Sequence, residues 1–161
     1  MRKIKIPLEL IRLEDESWHL MALAGINGKD CHVLLDTGAS HTVFDLQYLS
    51  RETASGGLSV ESCGKQVTGL HAGLIENLSG ILDRFSLGGL VLEDFPAVFI
   101  DFSEMNGLYR QHADREISGL IGSDFFLKYK ALICYNTLCL TLKIPDLPSP
   151  EPQGAESGFN Q

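Results

Sequence analysis

Leu34-Leu35-Asp36-Thr37-Gly38-Ala39-Ser40 is the stretch on which the reading of this chain turns. An acid at the end of a buried apolar strand runs against the cost of burying charge. Asp36 therefore needs local hydrogen bonds or a chemical role. The plain reading is an Asx-type turn, in which the carboxylate accepts from nearby backbone amides. The surroundings sharpen the question. Upstream, Trp18 to Ile26 reads as a strand with few polar residues on either face, so both faces are expected to be covered. Asn27-Gly28 then signals a type I′ hairpin, which requires positive φ at both positions. The return strand, Asp30 to Leu35, carries Cys31, Val33 and Leu35 on one face and runs straight into Asp36. Downstream, a short strand passes through Val43 and Phe44, and Asp45 is placed as the N-cap of a short helix over LQYLSRE.

The rest of the chain extends the same style. Residues 3 to 10 alternate apolar and polar, the pattern of a half-buried strand, and Pro7 inside it calls for an edge strand or a bulge. Leu13 to Ser17 is a turn, and 53 to 66 is a polar loop or irregular hairpin. Val67 to Ile75, Ile81 to Leu87 and Leu90 to Ile100 read as strands separated by glycine turns. SEMNGLYRQH suits a helical turn. Ile117 to Gly122 is an apolar strand, after which Ser123 is expected to cap a short helix with Asp124 in its first turn. Ala131 to Tyr135 and Leu138 to Lys143 form a hairpin around Asn136-Thr137. Residues 145 to 161, acidic and rich in proline, read as a solvated tail, leaving 1 to 144 as one domain. The expected class is mainly β, small and closed or sandwich-like, with two or three short helices.

Composition removes several function classes. Of the 161 residues, 44% are hydrophobic and 21% charged, which suits a globular domain that needs neither disulfides nor metal to fold. Thirteen basic residues against 21 acidic ones give a net charge of −8. A nucleic-acid partner calls for a basic footprint, and an anionic membrane surface repels such a chain. No apolar run reaches the length of a membrane span. Pro7, Glu9 and Arg12 interrupt any signal-like apolar region, which makes the cytoplasm the expected compartment. Cys31, Cys63, Cys134 and Cys139 match no zinc spacing and read as small buried hydrophobes. Cys134 falls opposite Cys139 across a two-residue turn. A disulfide satisfies that geometry, while a reducing compartment favours two thiols. His19, His41 and His112 show no ligand spacing. His32 shares a strand face with Asp36 but lies about 13 Å away in extended chain.

A second segment, Ser118-Gly119-Leu120-Ile121-Gly122-Ser123-Asp124-Phe125-Phe126, changes the weight of the first. With INGK (26 to 29), LLDTGAS, GLIGSDFF (119 to 126) and the terminal ALICYNTLCLTL, residues 18 to 143 resemble the retropepsin-like aspartic proteases, single-domain relatives of pepsin. The resemblance implies a small closed β-barrel, with Asp36, Thr37 and Gly38 as the catalytic loop. It further implies that Leu120-Ile121-Gly122 threads beside that loop, that Ala39 packs beneath it, and that Thr37 bonds across to a partner loop. Ser40 stands where the retroviral enzymes often carry a charge. A flap is expected to close over substrate. The glycine-flanked residues Gly69, Leu70, His71, Ala72 and Gly73 are the candidates.

The chemistry needs paired carboxylates. Two of them close together cannot both ionise, so they share a proton. The ionised member takes a proton from water and the protonated one polarises the scissile carbonyl, with no cofactor or metal required. One chain supplies one D-T-G. A dyad then implies a homodimer, in which a two-fold axis brings two copies of Asp36 together, with a polypeptide as substrate. Two rivals stand beside this endopeptidase. One is a catalytically silent peptide-binding or dimerisation module on the same fold. The other is a kinase-like phosphate loop, for which the chain lacks both the length and the alternating βα units.

Overall fold

The computed structural model of the chain describes residues 1–48, 60–61 and 78–146. The strand expected over residues 3 to 10 is in fact two. β1 (Arg2–Pro7) and β2 (Glu9–Arg12) part at Leu8 and enter different sheets. Pro7 has no N–H to continue a ladder, and the Leu8 N–H turns to the Leu138 carbonyl at 2.8 Å. The sequence alternation runs on unbroken while the pairing partner changes. β1 lies at a sheet edge, where proline is tolerated.

β3 (Trp18–Ile26) and β4 (Lys29–Leu35) form the hairpin around Asn27-Gly28, whose φ angles of 49° and 81° are both positive, as a type I′ turn requires. β3 is not covered throughout: Leu23 is 56% exposed. β5 (Val43–Asp45) is short, and a helical stretch follows at residues 46–48. Asp45 caps it as expected, its Oδ1 accepting from the Gln47 N–H at 3.2 Å. Within 53 to 66 lies β6 (Val60–Glu61), a piece of strand where a loop or hairpin was expected. β7 (Leu78–Leu87) and β8 (Leu90–Ile100) make the long hairpin. Residues 103 to 113 form a full helix, α1 (Ser103–Ala113), rather than a single turn. Then come β9 (Ile117–Ile121), α2 (Ser123–Lys128), β10 (Leu132–Cys134) and β11 (Cys139–Ile144). Cys134 pairs with Cys139 in the last hairpin, in the register read from the two-residue turn. The strand read over 67 to 75 lies outside the described residues, as does the tail beyond residue 146.

The sheet closes on itself. β3 pairs with β4, β4 with β9, β9 with β5, β5 with β8, β8 with β7, and β7 returns to β3. The result is a closed β-barrel of six strands, and a small closed β-barrel is what the family resemblance implied. Closure removes the unpaired edges that an open sheet would expose. Val33, Leu35, Phe44, Phe85, Phe99 and Ile121 fill the interior, with Phe44 edge-on to Phe85 at 5.4 Å. Each such side chain contributes roughly 1.5–3 kcal/mol on leaving water. The small sheet β1-β11-β10 adds Ile4, Ile6, Leu140 and Leu142 to the same core. A second core, with Met21, Leu34, Phe102, Tyr109 and Ile117, packs α1 against the outside of the barrel. Leu35 thus points into the barrel and Leu34 toward α1, and β4 delivers Asp36 from a strand buried on both faces. Among the described residues no helix is long and apolar enough to cross a membrane.

Candidate active site

Asp36 follows the end of the parallel β4–β9 ladder, one residue past the pair Leu35↔Ile121. Its N–H donates to the Ile121 carbonyl at 3.0 Å, so strand-like pairing holds the backbone of the acid itself. The chain then turns. The Ala39 N–H donates to the Asp36 carbonyl at 3.2 Å, and the Gly38 N–H donates to Asp36 Oδ1 at 2.9 Å. The Asx-type bond expected of a plain loop aspartate is therefore present, on one carboxylate oxygen. Asp36 is half-buried, whereas Thr37, Gly38 and Ser40 are exposed and Ala39 is partly covered.

Leu120-Ile121-Gly122 does run beside this loop. The Ser123 N–H donates to the Ala39 carbonyl at 2.8 Å, and Ser123 Oγ donates to the Thr37 carbonyl at 3.0 Å. The hydroxyl expected to cap α2 thus grips the candidate loop instead, and Gly122 takes the N-cap position with no side-chain cap bond. Glycine is required at 122 because the two segments nearly touch. A Cβ there would stand 2.6 Å from the His41 carbonyl carbon and 3.0 Å from the Ala39 oxygen, closer than van der Waals contact allows.

A polar lock lies beneath the loop, and sequence reasoning passed over half of it. Asp124 accepts from the Thr42 N–H at 2.9 Å and 3.0 Å on its two oxygens, and from Thr42 Oγ1–H at 2.8 Å. It also accepts from the Phe125 N–H at 2.8 Å, the local bond expected of an acid in a first helical turn. Thr42 Oγ1 in turn accepts from the Gly122 N–H at 3.0 Å. Asp124, placed in the first turn of α2, is thus engaged as a clamp. Thr42 gave no signal of its own, since it reads as the residue before a strand. Only side-by-side placement of the two loops, 82 residues apart, pairs it with Asp124.

On the α1 side, the Tyr109 hydroxyl shares a hydrogen bond of 2.6 Å with His19 Nδ1, and the ring's Nε2 shares one of 3.1 Å with Ser17 Oγ. Burial, with the charge of Asp36 adding to it, pushes the Tyr109 phenol up to about 12. Asp36 is therefore close enough to be felt in the second core. Deeper still, Asn106 bonds both backbone groups of Ile117, with Nδ2 donating to the carbonyl at 3.0 Å and the N–H donating to Oδ1 at 2.7 Å. Asp45 accepts there from the Phe102 N–H, and burial holds its carboxyl above the usual range. The open hollow lined by Arg12, Glu14, Asp15 and His112 belongs to the β2–β3 turn and the end of α1. Its charges are satisfied locally, by Arg12–Asp15 and His112–Glu14. Among the described residues no three His, Cys, Asp or Glu side chains gather as metal ligands would. Gly69, Leu70, His71, Ala72 and Gly73, read as the flap, lie outside the described residues.

Comparison with solved structures gives the retroviral protease-like domain of Ddi1 from Leishmania major. It is 18% identical, covers 83% of this chain and 98% of that one, and superposes with a TM-score of 0.51, a likeness of fold. A retropepsin-like aspartic protease from Rickettsia conorii is 13% identical over 88% of this chain and 89% of its own, with a TM-score of 0.47. No curated protein matches the sequence. The aspartyl protease family matches residues 22–125, more than half of the chain and inclusive of both loops just described. This chain, built on a retropepsin-like fold, belongs to the aspartyl protease family.

Proposed function

We propose that the chain is an aspartic endopeptidase whose active centre is assembled from two copies, each contributing Asp36 from the loop Asp36-Thr37-Gly38. The observation that carries the reading is the state of the two acids. Asp124, the nearest rival, is occupied by Thr42 and Phe125. Asp36 is half-buried at the mouth of an exposed loop, and among the described residues only the Gly38 N–H bonds its carboxylate. One chain thus offers one acid suited to a dyad, and a second copy related by a two-fold axis supplies the other.

The two carboxyl groups share one proton, because like charges this close cannot both ionise. The ionised member draws a proton from water as its oxygen bonds to the scissile carbonyl carbon. The protonated member donates to the carbonyl oxygen as negative charge develops there. The tetrahedral intermediate collapses by breaking its C–N bond, with a proton passed to the departing amine. Gly38 leaves the approach to the acid clear of a side chain, and Leu120-Ile121-Gly122 and Ala39 support the loop from below. The substrate is an extended polypeptide. Gly69 to Gly73 would form the flap over it.

The test uses Asp36→Asn with an unfolded polypeptide as substrate. The variant should fold and associate as the wild type does and cleave nothing. Wild type refolded together with excess variant should lose activity toward the square of the wild-type fraction, since a mixed pair holds a single aspartate. Activity proportional to the wild-type fraction would refute the two-copy site. Cleavage by the variant at the wild-type rate would remove Asp36 from the chemistry. No cleavage by either protein would favour a silent binding module.

A further inference from the structure

The small sheet β1-β11-β10 has a solvent face that the proposed protease reading does not use. Ile4, Ile6, Leu140 and Leu142 turn inward. Cross-strand neighbours in an antiparallel ladder project to the same side, so the register fixes what lies on the other face. Lys3 stands opposite Lys143, Lys5 is two residues along the same strand, and Cys139 stands opposite Cys134. Like charges directly opposed are unfavourable, and no ion pair among the described residues neutralises Lys3, Lys5 or Lys143. The two thiols are free and only half-buried. Directly opposed residues of an antiparallel pair keep their Cα atoms about 4.5–5.5 Å apart, inside the span of about 4.4–6.8 Å that a disulfide bridges.

We propose that Cys134 and Cys139 form a modification site, a dithiol that exchanges with small anionic disulfides of the glutathione type and closes into a cross-strand disulfide. The Cys134 thiolate attacks one sulfur of glutathione disulfide, giving a mixed disulfide and one glutathione thiolate. Cys139, deprotonated, then attacks Cys134 Sγ and releases the second glutathione. Two protein thiols are oxidised and one glutathione disulfide is reduced to two thiols, so electrons and protons balance. The order follows from the surroundings. The Thr137 hydroxyl, then the Thr137 and Asn136 amides, bond Cys134 Sγ and hold that thiol below its ordinary value, which favours the attacking thiolate. Among the described residues, the Cys139 thiol makes only a long contact to the Leu140 carbonyl, at 3.7 Å. The lysine row draws the anionic reagent to the face. Cys31 is the internal contrast: burial pushes its thiol up to about 11, despite a bond from Ser118, and leaves it inert. An exposed bridge closing so short a loop is readily reduced again, which makes the site reversible.

The experiment reads mass and connectivity, independent of any protease activity. The full chain is equilibrated in glutathione buffers of rising oxidised fraction and quenched with acid, its remaining thiols are alkylated in denaturant, and peptides are mapped. The expected product has lost two thiols, carries no retained glutathione and links Cys134 to Cys139, with Cys31 alkylated. Reduction with dithiothreitol restores both thiols. Cys139→Ser should trap glutathione on Cys134, and Lys143→Gln should slow the reaction with glutathione disulfide several-fold more than that with uncharged 2-hydroxyethyl disulfide. Stable glutathione on both cysteines of the wild type, a first linkage through Cys31 or Cys63, or unreacted Cys134 would each overturn the proposal.

Discussion

Cutting Asp124 back to alanine removes the acceptor for three donors: the Thr42 N–H, the Thr42 hydroxyl and the Phe125 N–H. A hydrogen bond to a charged group contributes about 1.5–3 kcal/mol net when it is shielded. Asp124 is itself exposed, so water takes over much of what Phe125 loses and the bonds fall to the low end of that range. Thr42 is only 8% exposed, and its two donors find poorer substitutes. The expected loss for Asp124→Ala is about 2–3 kcal/mol. Thr42→Val should lose about 1.5–2.5 kcal/mol, because its hydroxyl both donates to Asp124 and accepts from the Gly122 N–H, which is then left buried and unpaired. The two share one network, so the double variant should lose about 1 kcal/mol less than the sum.

Urea unfolding of the four proteins at constant slope measures all three numbers. Turnover of a peptide substrate supplies the functional arm. The lock positions the Asp36 loop, and a small displacement of a reacting group costs on the order of ten-fold or more in rate. A strictly additive double variant, or Asp124→Ala within about 0.5 kcal/mol of wild type, would refute the clamp. Complete loss of turnover at unchanged stability would refute it differently, by making Asp124 a reacting acid.

Two further outcomes follow from the second core. Asn106→Ala strands both buried backbone groups of Ile117 and should cost about 2–4 kcal/mol in urea unfolding; a loss below about 1 kcal/mol would mean that water replaces the side chain. Asp45 has its folded value raised by burial, so the folded chain holds this proton more tightly than the unfolded one. Its contribution to stability is full below the unfolded value of 3.8 and is lost as pH rises through the raised folded value. The midpoint of Asp45→Asn relative to wild type should therefore climb between acid and neutral pH, and a difference independent of pH would contradict the assignment.

Much of this was legible locally. Asn27-Gly28 specified its turn because only a left-handed pair closes a two-residue hairpin, and the apolar run of β4 announced that Asp36 would be delivered from a buried strand. Boundaries failed where a long-range partner overrode local pattern. The alternation through residues 3 to 10 says which side chains are buried but not which strand each half pairs with, so the switch at Leu8 left no trace. Ser123 has the chemistry of a cap, but the helix begins one residue earlier, with Gly122 in the extended N-cap position, and the Ser123 hydroxyl donates instead to the Thr37 carbonyl, a partner reached only in the fold. α1 is longer than its local sequence suggests because Gly107 and the polar residues around it weaken local propensity. Its stability comes from Tyr109 and Asn106 reaching partners on β3 and β9.

The chain direction of β4 and β9 explains why two weak motifs became one site. Antiparallel neighbours end at opposite edges of a sheet, so the loops that follow them separate. β4 and β9 are parallel, and parallel neighbours demand a long crossover, here everything from β5 through α1. The result of that detour is that both strands finish at the same end of the barrel, and the loops that leave them, 36–42 and 122–124, emerge side by side. Apart from the two bonds that Gly38 and Ala39 donate to Asp36 within the first loop, the bonds that fix the candidate acid run between the two segments: Asp36 to Ile121, Ala39 and Thr37 to Ser123, and Thr42 to Asp124 and Gly122. Neither loop holds its shape through its own residues alone, and substitutions in one should be felt in the other. D-T-G by itself reads as a turn because half of its supporting bonds are written more than 80 residues downstream.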